Sequence, residues 1–131
     1  MKIRKVSTTQ APAAIGPYSQ AVFVGDLLFA SGMIPLDPAT GNVVGTTIEE
    51  QTEQVFKNIK GLLSSCKIDA SYVVKTAVFL KNMSDFAAMN KVYQEEFKIN
   101  EILPARSCVQ VASLPKDVLV EVEIVAALRD E

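Results

Sequence analysis

Histidine is missing from this 131-residue chain. Its absence removes the commonest general base near neutral pH, every Ser-His-Asp or Cys-His nucleophile, and every imidazole-ligated metal. Chemistry here must run on carboxylates, Arg, Lys, Tyr, Ser, Cys, backbone groups and water. Basic clusters are missing too: no run of Lys or Arg exceeds two, and the formal net charge is −2. A surface that tracks phosphates needs grouped cations, so nucleic acid is not an expected partner. No apolar stretch approaches the ~18 residues of a membrane helix. The N-terminal MKIRKVSTTQ lacks the apolar core of a secretory signal. A cytoplasmic protein without membrane contact is expected. Cysteine is scarce. Cys66 and Cys108 stand 42 residues apart with no CxxC, and read as reduced packing residues rather than metal or redox ligands.

What is present suffices for one core. Hydrophobic residues make up 49% of the chain, and one domain over residues 1–131 is expected. IRKV near the start reads as a strand. VFVGDLLFAS reads as a hairpin turning at Gly25-Asp26, which pairs Val24 with Leu27, Val22 with Phe29, Gln20 with Ser31 and Tyr18 with Met33. Tyr18, Gln20 and Ser31 then share a face. TTIEEQTEQVFKNIKGLLSSCK reads as a helix with a Thr47/Glu50 capping box and an apolar stripe of Ile48, Val55, Ile59, Leu62, Leu63 and Cys66. Gly61 suggests close packing of this helix on a sheet. YVVKTAVFL reads as a buried strand. A second helix has Ser84 as a candidate N-cap and Phe86, Met89, Tyr93 and Phe97 as its stripe, with Asn90 beside it. Two strands, Arg106–Ala112 and Val118–Leu128, close the chain and are expected to pair as a hairpin. The sum is an α+β layer structure, one mixed sheet of about six strands with both helices on one face. Its bare face would carry Val22, Phe29, Leu119 and Val125, apolar enough to imply self-association by cyclic closure.

Arg106 is the odd residue. Val118, Val120, Val122 and Ile124 form an unbroken apolar set that must face the helices. Leu119, Glu121, Glu123 and Val125 then face away. Placing Val109 and Val111 in the core puts Arg106 on the outer face beside Glu121 and Glu123. Two readings follow. A solvated cross-strand ion pair would contribute well under ~1 kcal/mol. Alternatively, a partner subunit buries that face, and a guanidinium with spare donors there is a clamp for a small carboxylate.

APAAIGPYSQA (11–21), SGMIP (31–35), PARSCVQV (104–111) and VEVEIVA (120–126) together resemble the Rid family, the YjgF-type imine/enamine deaminases. The resemblance spans essentially the whole chain. It implies a chorismate-mutase-like fold assembled as a homotrimer with clefts between subunits. It implies hydrolysis of 2-imino and 2-enamino acids, such as 2-aminoacrylate or 2-aminocrotonate, to 2-oxo acids and ammonia. By matching position, Arg106 would clamp the substrate carboxylate and Glu121 would hold the attacking water. Cys108 would be a wall residue whose backbone N–H faces the ligand. Tyr18, Ser31 and Gly32 would line the cleft, with Asn90 as a buttress. Met33 and Leu103 depart from the family pattern, where Gln and an aromatic residue are expected.

That chemistry needs no histidine, metal or organic cofactor. A protonated imine is already electrophilic, and holding it beside a water supplies much of the acceleration. An enamine is first protonated at C3. Water then adds to C2 while Glu121 accepts its proton, and the carbinolamine expels ammonia. The rival functions are a non-catalytic carboxylate-binding or regulatory trimer, an RNA-cleaving or translation-blocking protein, and a holdase chaperone.

Overall fold

The order of the strands follows from two strand–helix–strand crossovers. The structure, a computed structural model, describes residues 2–128. Strands β1 (Ile3–Val6), β2 (Ala21–Val24) and β3 (Leu27–Ala30) form an antiparallel meander. Helix α1 (Ile48–Ser65) leads to β4 (Val73–Leu80), and α2 (Phe86–Glu96) leads to β5 (Ala105–Gln110). The last strand, β6 (Val120–Ala127), inserts between β3 and β4 and gives the order β1-β2-β3-β6-β4-β5. A helix between consecutive strands carries the chain back to the same end of the sheet, so β5 runs parallel to β4.

Both helices lie on one face of this mixed six-stranded sheet. The Thr47 hydroxyl accepts the Glu50 N–H while the Glu50 carboxylate accepts the Thr47 N–H, so the capping box forms as expected. The stripe from Ile48 to Leu63 is buried, and Cys66 packs against its end. Phe56, Tyr93 and Phe97 meet with ring centroids 4.7–5.7 Å apart. Val118, Val120, Val122 and Ile124 are buried on the helix side. At the first hairpin Gly25 takes φ 57°, open to glycine without strain, and the pairing Val24–Leu27 and Val22–Phe29 is as expected.

Four expectations are corrected. The closing strands do not form a hairpin: β5 pairs only with β4 and occupies the sheet edge, because α2 crosses over between them. Antiparallel pairing ends at Gln20–Ser31. Met33 bridges Val122 instead of facing Tyr18. Ser84 lies inside a 3₁₀ turn (Met83–Asp85), and Asp85 occupies the N-cap of α2 without a side-chain cap bond. Gly61 packs against the chain's own N-terminal segment and not the sheet: a Cβ there would lie 2.0 Å from the Gln10 carbonyl oxygen.

Gly61 therefore yields a sign test. Helix propensity alone makes Gly61→Ala stabilising by about 1 kcal/mol. The backbone clash makes it destabilising by about 1–3 kcal/mol, and the clash should win because a main-chain oxygen cannot swing aside. Urea unfolding should show a lower midpoint for the variant. A higher midpoint contradicts the packing described.

Candidate functional site

The parallel β4–β5 register decides where Arg106 points. Thr76, Val78 and Leu80 face the helices and are buried, and they pair with Arg106, Cys108 and Gln110. Paired residues of adjacent strands share a face, so Arg106 stands on the helix side. Glu121 and Glu123 pair with Phe79 and Ala77 on the other side. The sequence expectation that Arg106 shares the outer face with these carboxylates is thus wrong, and Val109 rather than Arg106 is exposed there. Among the described residues Arg106 forms no ion pair, which removes the cross-strand pair as its explanation.

The Arg106 half-site is built on α2. Its guanidinium carbon lies 4.6 Å from the centroid of the Tyr93 ring and 5.4 Å from that of Phe86. Nη1 donates to Asn90 Oδ1 at 2.6 Å. The Tyr93 phenol shares a 2.8 Å hydrogen bond with the Thr76 hydroxyl on β4, which fixes the ring against the sheet. Two rings and one amide oxygen thus hold the planar group, and one bond leaves most of its five donors unspent. Arg106 itself is exposed, at the wall of a cleft of about 740 Å³ that includes Asn90, Tyr93, Leu103 and Pro104. Cys108 packs two residues on. Burial pushes its thiol up and Arg106 offsets this in part, so the thiol is not activated. The Val111 N–H donates to Leu80 O on β4. Strand alternation then aims the Cys108 N–H at the open sheet edge.

The Glu121 half-site lies on the opposite face. Tyr18, Ser31, Gly32, Glu121 and Glu123 share a cleft of about 670 Å³. The Met33–Val122 bridge draws Gly32 onto Glu121, where a Cβ would lie 1.9 Å from Oε2. A side chain at position 32 would displace the carboxylate from this position. Glu121 is half-buried and has no hydrogen-bond partner among the described residues. Burial raises its pKa above the ordinary carboxylate range, and the Glu123 carboxylate adds to the rise. The Ser31 hydroxyl donates to Ser19 O at 2.6 Å, and Tyr18 is 53% exposed at the rim.

The structure brings together Tyr18, Ser31, Gly32 and Glu121 on one side, and Asn90, Arg106 and Cys108 on the other. Within one chain it does not bring the two groups together. The sequence reading missed Phe86, Tyr93 and Thr76 as supports of Arg106, because an aromatic stripe at helical spacing reads as core. Gln20 was also missed. Its buried amide bonds Thr8, Ala11 and Pro12 and fastens the segment that carries Tyr18. Among the described residues no group of three or more His, Cys, Asp or Glu could hold a metal. Among the described residues no helix is long and apolar enough to cross a membrane.

A profile for the family described as Endoribonuclease L-PSP matches residues 8–128. The chain belongs to this family. A Lactococcus lactis protein whose name, AldR, is that of a proposed regulator is 50% identical, over 98% of this chain and 99% of its own. The 2-iminobutanoate/2-iminopropanoate deaminase of Salmonella typhimurium is 43% identical, over 96% and 98%. YyfA of Yersinia pestis, a solved structure of the conserved Rid protein family, superposes with a TM-score of 0.93 at 43% identity, over 97% of this chain and all of that one. The family of the sequence resemblance and the family of these relatives are therefore the same.

The raised Glu121 pKa has a stability consequence. A carboxyl whose folded pKa exceeds its unfolded value contributes stability that is present at acid pH and is lost as pH rises through the folded value. Glu121→Gln should therefore raise Tm at pH 7 and leave it little changed near pH 4. Glu123→Gln should lower the Glu121 midpoint, read by carboxyl carbon NMR, because a repelling charge is gone.

Proposed function

We propose that this protein hydrolyses 2-imino and 2-enamino acids to 2-oxo acids and ammonia, in sites that two subunits of a homotrimer build jointly. The observation that carries this reading is the division of two uncommitted groups between opposite sheet faces. Arg106 is pre-positioned with spare donors, and Glu121 is half-buried without a partner. Neither can serve the other in one chain. A second chain laid across the bare face would bring its own Arg106 to this Glu121. That face has the composition of an interface: Leu27, Phe29 and Val109 are exposed on it beside half-buried Val22 and Val125. The deaminase name of the Salmonella relative supports the activity.

In this mechanism the Arg106 fork binds the substrate carboxylate in a bidentate pair and fixes C2. The Cys108 N–H faces the same anion from the sheet edge. Glu121, ionised, orients a water and accepts its proton as the oxygen bonds to C2. The protonated carboxyl then gives that proton to the nitrogen; as the C2–N bond breaks and ammonia leaves, the carboxylate takes the hydroxyl proton and C=O forms. In the single chain burial and Glu123 make this carboxylate more basic, and the neighbour's Arg106 would work against that rise in the assembled site. An RNA-cleaving role is disfavoured by the same cleft, because Glu121 and Glu123 repel a phosphate.

Coupling to a threonine dehydratase and following 2-oxo acid release tests this. Arg106→Ala should lower kcat/KM about 100-fold, the loss of charged hydrogen bonds to the carboxylate. Glu121→Gln should lower kcat roughly 100-fold or more. A pH profile should place the acid limb above pH 4.5, the ordinary carboxyl value. Equal activity in all three proteins would end the proposal. A carboxylate-binding regulator, the reading that AldR's name favours, needs only Arg106. It predicts that the wild type binds 2-oxo acids but releases none from imines.

A further inference from the structure

The Glu121 cleft is larger and less polar than the single side-chain carbon of a three-carbon 2-imino acid needs. Its walls are Pro12, Ala13, Ile15, Ile34 and Leu36, and at about 670 Å³ it falls among ordinary ligand pockets, which run ~300–1,000 Å³. Ile15 stands 77% exposed at the mouth, next to Tyr18. The neutral polar side chains that line it are already engaged. The Gln20 amide nitrogen donates to the carbonyls of Thr8, Ala11 and Pro12, its oxygen accepts the Thr8 N–H, and the Ser31 hydroxyl donates to Ser19 O. The Tyr18 oxygen accepts the Ile15 N–H at 3.3 Å. Three charged groups line the cleft: Glu121, Glu123 and Lys116. The Lys116 ammonium donates to the Gly41 carbonyl at 3.2 Å. An incoming molecule therefore meets hydrocarbon surface, two carboxylates and one ammonium, Lys116, whose single bond is to a neutral carbonyl.

We propose that this cleft seats an extended aliphatic side chain, making the preferred substrates 2-imino acids with longer hydrocarbon chains and not the shortest ones. The inference rests on the deaminase reading and adds its substrate class. With the carboxylate on Arg106 and C2 beside Glu121, the side chain has the walls from Pro12 to Leu36 to cover. Each CH₂ removed from water there strengthens transition-state binding by a constant factor. An acidic side chain would meet two carboxylates, Glu121 and Glu123, against the single ammonium of Lys116.

An amino acid oxidase supplies the imines of alanine, 2-aminobutyrate, norvaline and norleucine in situ, and semicarbazide competition reads their enzymic hydrolysis. The expected result is a rise in kcat/KM of roughly fourfold per added CH₂ along the series. In Ile15→Asp, whose side chain is exposed and outside the core, the norleucine-to-alanine ratio should collapse toward one. Ile15→Leu should keep it. A flat or falling series with the alanine imine still turned over overturns this inference and leaves the deaminase reading standing. A ratio unchanged in Ile15→Asp likewise overturns it. No acceleration of any imine, alanine's included, overturns both.

Discussion

The insertion of β6 between β3 and β4 is the constraint on which the rest depends. It leaves β5 at the sheet edge with β4 as its one neighbour, and the α2 crossover makes that pairing parallel. Register then turns Arg106 toward α2 and Glu121 toward the bare face. Neither side chain can cross the sheet. In the proposed reading a single chain thus holds both halves of a carboxylate-binding, water-activating site and cannot close them on each other.

Each half is stiffened locally. On the helix side Thr76 fixes Tyr93, Tyr93 and Phe86 flank the guanidinium, and Asn90 takes one donor. Less rotamer freedom is then lost on binding. On the bare side, Gln20 anchors the 8–20 segment and the Met33–Val122 bridge presses Gly32 onto Glu121. Among the described residues of one chain Glu121 has no donor to stabilise its charge, so burial and Glu123 raise its affinity for a proton. The molecule keeps a carboxylate that costs stability at neutral pH, and in the proposed chemistry that cost is the source of its basicity.

Much of this was legible from residues alone. The capping box, the first hairpin's turn and its register from Val24–Leu27 to Gln20–Ser31, the helix stripes and the apolar face of β6 rest on local periodicity, and they stand in the structure as read. The face of Arg106 was misread because Arg106–Ala112 and Val118–Leu128 are consecutive strands, and consecutive strands usually pair. The stronger signal was available in the strand–helix–strand order of β4, α2 and β5, which is the connection a parallel pair requires. Gly61 misled for a different reason. The partner that fills its missing side chain, Gln10, comes from 51 positions away, and no local pattern announces it. Tyr93 was seen as core and is core; that the same ring also supports a guanidinium needs the neighbouring strand to be placed first.

Mixing subunits addresses the central claim most directly. Arg106→Ala and Glu121→Ala chains, each inactive alone, are unfolded together, refolded and assayed for imine hydrolysis. If every site takes Arg106 from one chain and Glu121 from the next, random assembly of a cyclic oligomer leaves about a quarter of the interfaces with both groups intact. Activity should return to about a quarter of the wild-type value. A mixture as inactive as its parents, with assembly verified by sizing, would mean that both groups serve within one chain, contradicting the account.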